Sequence, residues 1–393
     1  MNADHSRRTF LLGGLATGAV LLAGKTFLHP SAAHAATEAV TLDVCVNMTP
    51  EEMADRSQYV MAAWKYLQDA AAEIGNPGLR AAVLDIMKNP APLLAEGDAK
   101  AIMAELKGQG LLAQDAKAVF PTCASTKKSP QPFYTAPGSG WNSHHIYPGG
   151  LVTHTALNVA SCKALYDNYA DMFGLKLDRD VVLASQLLHD LHKPWVFQWQ
   201  ADGTCRKEEP LAATGEHHVL SIAESLRRGL SPELCVAQAC AHDHPGAAAS
   251  EQLVVGWLKA AAVINGKDPS KAGLVEKDGK TLPMPRRMEG FVTHLADHDW
   301  VLSVPAAQWT VDALKQVAVR SYGIKEADLT KKPFNQFRNY VLSQKTAMQL
   351  YGAYSTKGLD GLTAEVAEIV RARSEEHTSE PSHVKRSRMP SSA

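Results

Sequence analysis

The sequence predicts an all-α protein. Nearly every strong apolar periodicity repeats at helical spacing rather than in strict alternation. Several of these stretches open on helix-start residues, as in Thr49-Pro50-Glu51-Glu52 and Ser231-Pro232-Glu233, where a hydroxyl cap precedes a proline and a carboxylate. Strand-favouring turn signals are confined to two Asp-Gly pairs, Asp202-Gly203 and Asp278-Gly279, each suited to a short β-hairpin.

The two ends of the 393-residue chain read differently from its body. In residues 1–35, Ser6-Arg7-Arg8-Thr9-Phe10-Leu11 leads into an apolar, glycine-rich run, and Ala33-His34-Ala35 offers a small-x-small cleavage site. This pattern resembles a twin-arginine export signal, which implies the twin-arginine machinery as a partner and a periplasmic or exported location. The run is too short, and too interrupted by Gly13, Gly14 and Gly18, to predict stable membrane insertion after cleavage. Residues 373–393 are polar and aperiodic, and predict a disordered tail. They resemble the in-frame translation of a sequencing-adapter oligonucleotide, so His377 and His383 are given no function.

Charge and cysteine content narrow the function further. The formal net charge of −1 becomes −4 once the +2 of the leader and the +1 of the tail are set aside. A slightly acidic body speaks against a nucleic-acid polymer as partner and leaves room for a small anion held by local cations. The six cysteines form no CxxC pair. Cys162, Cys235 and Cys240 fall on apolar helix faces and predict buried thiols. A Cys45–Cys123 bridge stays open in an oxidising compartment.

Between the ends, the first helix runs from Pro50 to about Ile74, followed by helices at about 77–88, 98–107 and 113–118. Residues 121–149, rich in Pro, Gly and Ser, form a long loop ending in "GWNSHHIYPGG", which completes an N-terminal region at 37–140. The core, 141–305, carries helices at about 150–171, 179–192, 216–228, 231–241, 250–264 and 286–302. Three more helices, the last opened by Thr363, make a C-terminal extension at 306–372.

The chemistry lies in the core. "LLHDLHKPW" sets His189 beside Asp190 at a helix end, where an imidazole and a carboxylate can reach one ion and the second carboxylate oxygen can bridge another. His and Asp without thiolates suit Zn, Mn, Fe or Co. Alone the dipeptide is a weak signal, but it has company. His154 sits near the start of the preceding helix, His217 and His218 open a later one, and His242 and His244 close the next. His294, Asp297, His298 and Asp299 follow on another.

The order H…HD…H…H…D resembles the HD superfamily of metal-dependent phosphohydrolases over residues 141–305. The string "HHIYPGGLVTHT" is similar to HD domains of certain bacterial 3′→5′ exoribonucleases and relaxase-associated proteins. The resemblance implies an HD-domain helical core holding one or two divalent ions (Mn, Fe, Zn, Co or Mg). It assigns His154, His189, Asp190 and Asp297 to the first ion, with His217 and His242 added in the two-metal branch and His244 an alternative to His242. It further implies hydrolysis of a nucleotide or other small phosphomonoester or diester by metal-activated water. Asp190 and Lys193 would be catalytic, with Lys193 contacting substrate. Apart from the resemblance, Arg286 and Arg287 either clamp a phosphate of the substrate or form a solvated helix start, and His145 either contacts substrate or stays a loop residue beside the site. His192 departs from the family's HDxGK pattern, either crowding the site or adding a ligand. Trp195, Trp199 and Trp300 either pack in the core or stack on a base, and His144 belongs to the loop beside the site. Two other classes stay open: a di-iron oxygenase on the same fold, and a non-catalytic module that metal merely stabilises.

Overall fold

A computed structural model describes residues 38–141 and 143–372. The export leader and the tail expected from the sequence lie outside these residues. The described chain is all-α, with helices carrying the architecture and strands of only two residues each. No described helix is long and apolar enough to cross a membrane.

At the N-terminal end β1 (Val40–Thr41) leads to α1 (Leu42–Asn47), α2 (Pro50–Arg56) and α3 (Gln58–Ala72). The capping box forms as expected: Glu52 N donates to Thr49 Oγ1 at 3.2 Å, and Thr49 N donates to Glu52 Oε2 at 2.7 Å. The single helix predicted from Pro50 to Ile74 is instead two, broken at Ser57. That buried hydroxyl accepts from Val60 N at 3.2 Å, capping α3, and donates to the Ser343 carbonyl at 2.5 Å. A distant segment thus dictates a break that local periodicity hides. Helices α4 (Pro77–Lys88) and α5 (Ala99–Gly108) follow, opened by Asn76 and Asp98 caps. The short helix expected at 113–118 is absent. Lys107 Nζ draws the carbonyls of Gln114 and Ala116 to itself, at 2.9 and 2.7 Å, instead of leaving them for a helical ladder.

The core then runs α6 (Gly150–Phe173), α7 (Arg179–Leu188), α8 (Lys193–Val196), α9 (Glu216–Arg227), α10 (Pro232–Ala239), α11 (Ala248–Ile264) and α12 (Glu289–Ala296). Helix α6 is the hub, packing on α3, α7 and α12, while α10 lies on α7 and α9 on α11. One apolar cluster joins Val60, Leu67, Leu151, Val159, Leu188 and Val292; a second gathers Trp195, Leu220, Trp257 and Leu258. The helix expected over 286–302 divides at Asp297, whose φ of −90° and ψ of 25° end α12 before α13 (Trp300–Tyr322) begins. Residue 305, where the sequence reading separates core from extension, lies inside α13.

Helices α14 (Lys332–Lys345) and α15 (Ala347–Ala367) complete the body, and β4 (Val370–Arg371) pairs parallel with β1. Both flanks share a third apolar cluster that includes Cys45, Met53, Leu314, Phe337, Tyr340 and Leu350. Asp202-Gly203 makes its expected tight turn, with Gly203 at φ +82° and a bridge between Trp199 and Cys205. Asp278-Gly279 also turns, and Glu276 N donates to the Thr281 carbonyl at 2.9 Å, without a named strand. The hairpin of β2 (Pro210–Leu211) and β3 (Thr214–Gly215) turns instead at Ala212 and Ala213, both at positive φ, a residue pair that announces no such turn. All six cysteines are free thiols, so no Cys45–Cys123 bridge forms.

The turn into α6 admits no side chain at its second glycine: a Cβ on Gly150 would overlap the His145 carbonyl. Gly150→Ala is expected to lower stability by about 3 kcal/mol or more through overpacking and backbone displacement. Gly352, in α15 with open space around its Cα, should by contrast gain up to about 1 kcal/mol on replacement by Ala. Urea denaturation of the two variants checks both signs.

Candidate metal centre

Each histidine and aspartate of the predicted set sits at or near a helix end, where the backbone turns and neighbouring side chains converge. His154 lies in the first turns of α6, and His189 caps α7 with Asp190 in the turn behind it. His217 is in the first turn of α9, His242 follows α10, and Asp297 ends α12. Five separate segments therefore deliver their ligand-type atoms to one place.

The Asp190 carboxylate is the midpoint. Its Oδ2 lies 3.0 Å from His189 Nε2 and 3.4 Å from His154 Nε2, while its Oδ1 lies 3.4 Å from both His217 Nε2 and His242 Nε2. Asp297 closes the first side, its Oδ1 3.1 Å from His154 Nε2 and 3.5 Å from His189 Nε2, and its Oδ2 3.8 Å from His242 Nε2. Asp190 and His189 are 1% exposed, so these groups are withdrawn from bulk water.

Burial of that kind is costly unless the polar atoms are satisfied. His189 Nε2 and both carboxylate oxygens of Asp190 complete no hydrogen bond, although Lys193 Nζ comes within 2.6 Å of Oδ2. Buried carboxylate oxygens without hydrogen bonds, facing the unpaired His189 Nε2, fit a divalent cation better than a purely structural network. Two of the three-residue groups that bring ligand atoms within 4.8 Å of one another meet here, His154–His189–Asp297 and His189–Asp190–His242; a third is His217–His218–His242.

Outer partners fix the rings. His189 Nδ1–H donates to the Gln186 carbonyl at 2.7 Å, and His217 Nδ1–H donates to Glu208, which also accepts from His217 N at 3.0 Å. Both bonds leave Nε2 free to face the cluster. Asn158, one turn beyond His154, donates to Asp297 Oδ1 at 2.6 Å. His218 stacks on His242 with ring centroids 3.4 Å apart and is itself held through Thr214.

Electrostatics prepare the same atoms. Burial works to raise the carboxyls of Asp190 and Asp297, but His189 beside both, and Lys193 beside Asp190, hold them well below the ordinary range. Burial likewise opposes charge on His189, yet Asp190 and Asp297 prevail and push it up to about 10. Burial depresses His242 to about 4 and holds His218 well below its usual value, leaving both neutral and able to offer lone pairs.

The fold thus brings His154, His189, Asp190, His217, His242 and Asp297 together with Lys193, whose Nζ also donates to the Gly138 carbonyl. His145 joins them: its ring centroid is 5.3 Å from that of His154 and its Nε2 3.5 Å from Asp299 Oδ2. His242, rather than His244, faces Asp190; His244 Nδ1 accepts from Gly246 N at 3.0 Å. Arg286 is directed elsewhere. Its guanidinium grips Glu251 at 2.5 and 2.7 Å and lines a separate cavity with Arg287 and Cys240, because a largely buried carboxylate there needs a counter-charge. His192 neither crowds the cluster nor ligates in it: its Nε2 meets the buried Glu224 at 3.1 Å. Trp195 is a core residue whose Nε1 donates to the Pro121 carbonyl at 3.1 Å. Trp199 Nε1 likewise donates to the Thr135 carbonyl at 2.9 Å, and Trp300 stands exposed.

Sequence reasoning missed Asn158, Glu208 and Glu224. Asn158 had a usable signal, the four-residue helical spacing from His154. Glu208 had none, since only the β2–β3 hairpin folds it back onto His217. Glu208→Ala is expected to weaken metal retention by about tenfold or more, and Asp190→Ala to abolish it. Elemental analysis after dialysis against a graded chelator series measures both.

Comparison with known proteins finds a partial sequence similarity to a phosphodiesterase. No family model matches the chain, and no solved structure matches it. Over 104 residues the chain is 32% identical to dihydroneopterin 2′,3′-cyclic phosphate phosphodiesterase of Methanocaldococcus jannaschii. The match covers 26% of this chain and 41% of that protein, so the chain spans about two fifths of the length of the curated relative it matches. A phosphodiesterase is thus a distant homologue of this chain, and its buried His and Asp groups fit a metal site.

Proposed function

We propose that this protein hydrolyses a phosphodiester bond in a small molecule at an HD-type metal centre. The observation that carries the reading is the Asp190 carboxylate, whose two oxygens face different sets of imidazoles. His154, His189, Asp190 and Asp297 would hold one divalent cation. His217 and His242, across the other oxygen of Asp190, would hold a second. Divalent cations bound there supply Lewis acidity to phosphoryl oxygens and to the attacking water.

The chain's own residues do the positioning. Lys193, 3% exposed and pinned to the Gly138 carbonyl, keeps an ammonium beside the carboxylate where it can offset charge building on the phosphoryl group. The Glu208–His217 and Gln186–His189 bonds hold the imidazole rings in one orientation through turnover. No side chain is assigned as nucleophile. The relative's activity on a cyclic phosphate supports a diester, and the net charge of the body supports a small substrate over a polymer.

Location belongs to the same proposal. The Arg7-Arg8 leader supports delivery through the twin-arginine machinery to the periplasm, a route that carries folded protein and so lets the metal be chosen before export. N-terminal sequencing of protein recovered from the periplasm should begin just after Ala35, whereas a start at the initiator region would remove this part of the reading.

Activity is tested on bis-p-nitrophenyl phosphate and a 2′,3′-cyclic nucleotide, anaerobically and in air. Metal-dependent hydrolysis at equal rates in both atmospheres is expected. Lys193→Met should lower kcat by about 100-fold, and Asp190→Ala should leave no measurable turnover. Oxygen consumption without hydrolysis would assign the centre to a di-iron oxygenase. Metal retention without either activity would make it a binding module.

A further inference from the structure

The flanking helices do more than brace the core. A cavity of about 400 Å³ lies where they meet the core, walled by α3, by the start of α6, by α13 and by the α14–α15 junction. His145 forms part of its lining and also stands against His154, so the cavity adjoins the metal centre directly. Its volume falls within the range of small-ligand pockets.

Three features distinguish it from a packing defect. First, two residues in its wall, His145 at φ +50° and Thr346 at φ +57°, adopt a left-handed backbone that bulky and β-branched side chains resist. The other non-glycine residues at positive φ among those described are the two alanines of the β2–β3 turn, where the hairpin itself requires it. Strain held by a non-glycine residue needs surroundings that over-determine it, and at His145 they do: its carbonyl accepts from Gly138 N at 2.8 Å and from Tyr147 N at 3.1 Å. Second, Ser303 Oγ lines the cavity, is 1% exposed and completes no hydrogen bond. Burial raises the Asp299 carboxyl, against which His154 and then Ser303 work, and its Oδ2 lies 3.5 Å from His145 Nε2 without completing a hydrogen bond. Third, the lining mixes apolar and polar groups, with Tyr59 and Ala62 from α3 and with Thr346 and Gln349 from the α14–α15 junction.

We propose that this cavity binds the organic part of the substrate, a planar heteroaromatic ring, while the phosphodiester lies at the metal centre. This assignment rests on the phosphodiesterase reading. The Tyr59 side chain among small apolar lining residues suits a ring that stacks, and the unpaired Ser303 hydroxyl suits a ring that carries donors and acceptors at its edge. The cavity wall is supplied by 37–140 and 306–372 as well as by the core, so the two flanks act together as the specificity element. His145, turned by its strained backbone to sit between the two compartments, is the residue that spans ring site and phosphate site.

The test compares kcat/KM for adenosine 2′,3′-cyclic phosphate with that for glycerol 1,2-cyclic phosphate, which presents the same strained diester without a ring. The metal-loaded full chain is used, as wild type and as two variants. Ala62→Phe fills the cavity from α3, and Tyr59→Ala removes its aromatic wall. The wild type should prefer the ring-bearing substrate by about 100-fold, and each variant should reduce that ratio by about tenfold or more, mainly through KM. Should both substrates lose rate in parallel, or the ratio stay at its wild-type value in both variants, the cavity is not the ring site. If the wild type cleaves neither compound, the phosphodiesterase reading fails first and takes this assignment with it.

Discussion

One buried carboxylate organises this protein. Asp190 sits at the centre of four imidazoles and an ammonium, almost wholly screened from water, with neither oxygen satisfied by a hydrogen bond. An anion in such a place is tolerated only if positive charge surrounds it. Every helix of the core that reaches the site ends there or starts there, and does so to bring a group to that carboxylate or to its neighbour Asp297. The sharing of one carboxylate between two sets of imidazoles turns a collection of histidines into a group that could hold a metal ion.

Rigidity around the carboxylate comes from bonds made one layer out. Glu208, the Gln186 carbonyl and Asn158 each spend a hydrogen bond on orienting a residue of the cluster. A separate network of His192, Glu224 and Arg228 anchors the turn after Asp190 to α9: Glu224 receives His192 at 3.1 Å and Arg228 Nε at 2.7 Å, and the His192 backbone donates to Ser221 at 3.2 Å. A histidine at this position therefore supports the site from behind. The flanks complete the envelope, since β1, α1 and α2 share an apolar cluster with α13, α14, α15 and β4 and hold the chain's two described ends together.

Legibility varied with the range of the interaction. The helical fold was readable because periodicity and caps are local; the capping box at Thr49 and the Ser231 cap both form where the residues predict. The ligand-type residues were readable because their chemistry is unusual and they recur in short clusters along the chain. Breaks in helices were not. Ser57 interrupts a strong periodic pattern by bonding to Ser343, and Asp297 interrupts another where the chain must turn into the cluster. Arg286 reads from sequence either as a substrate contact or as part of a solvated helix start, and only the fold shows that a largely buried Glu251 claims it.

The sequence by itself determined the inventory: an all-α chain, six donor residues in a fixed order, and a lysine three positions after the central aspartate. Those properties follow from side-chain chemistry and short-range spacing, which no tertiary contact can alter. Only the tertiary structure decided that His242 faces Asp190 while His244 does not, that Glu208 stands behind His217, and that the two flanks close a cavity beside His145. Each of these depends on where a chain segment arrives after crossing the molecule. That position is set by the packing of whole helices against one another rather than by the residues next to it in sequence.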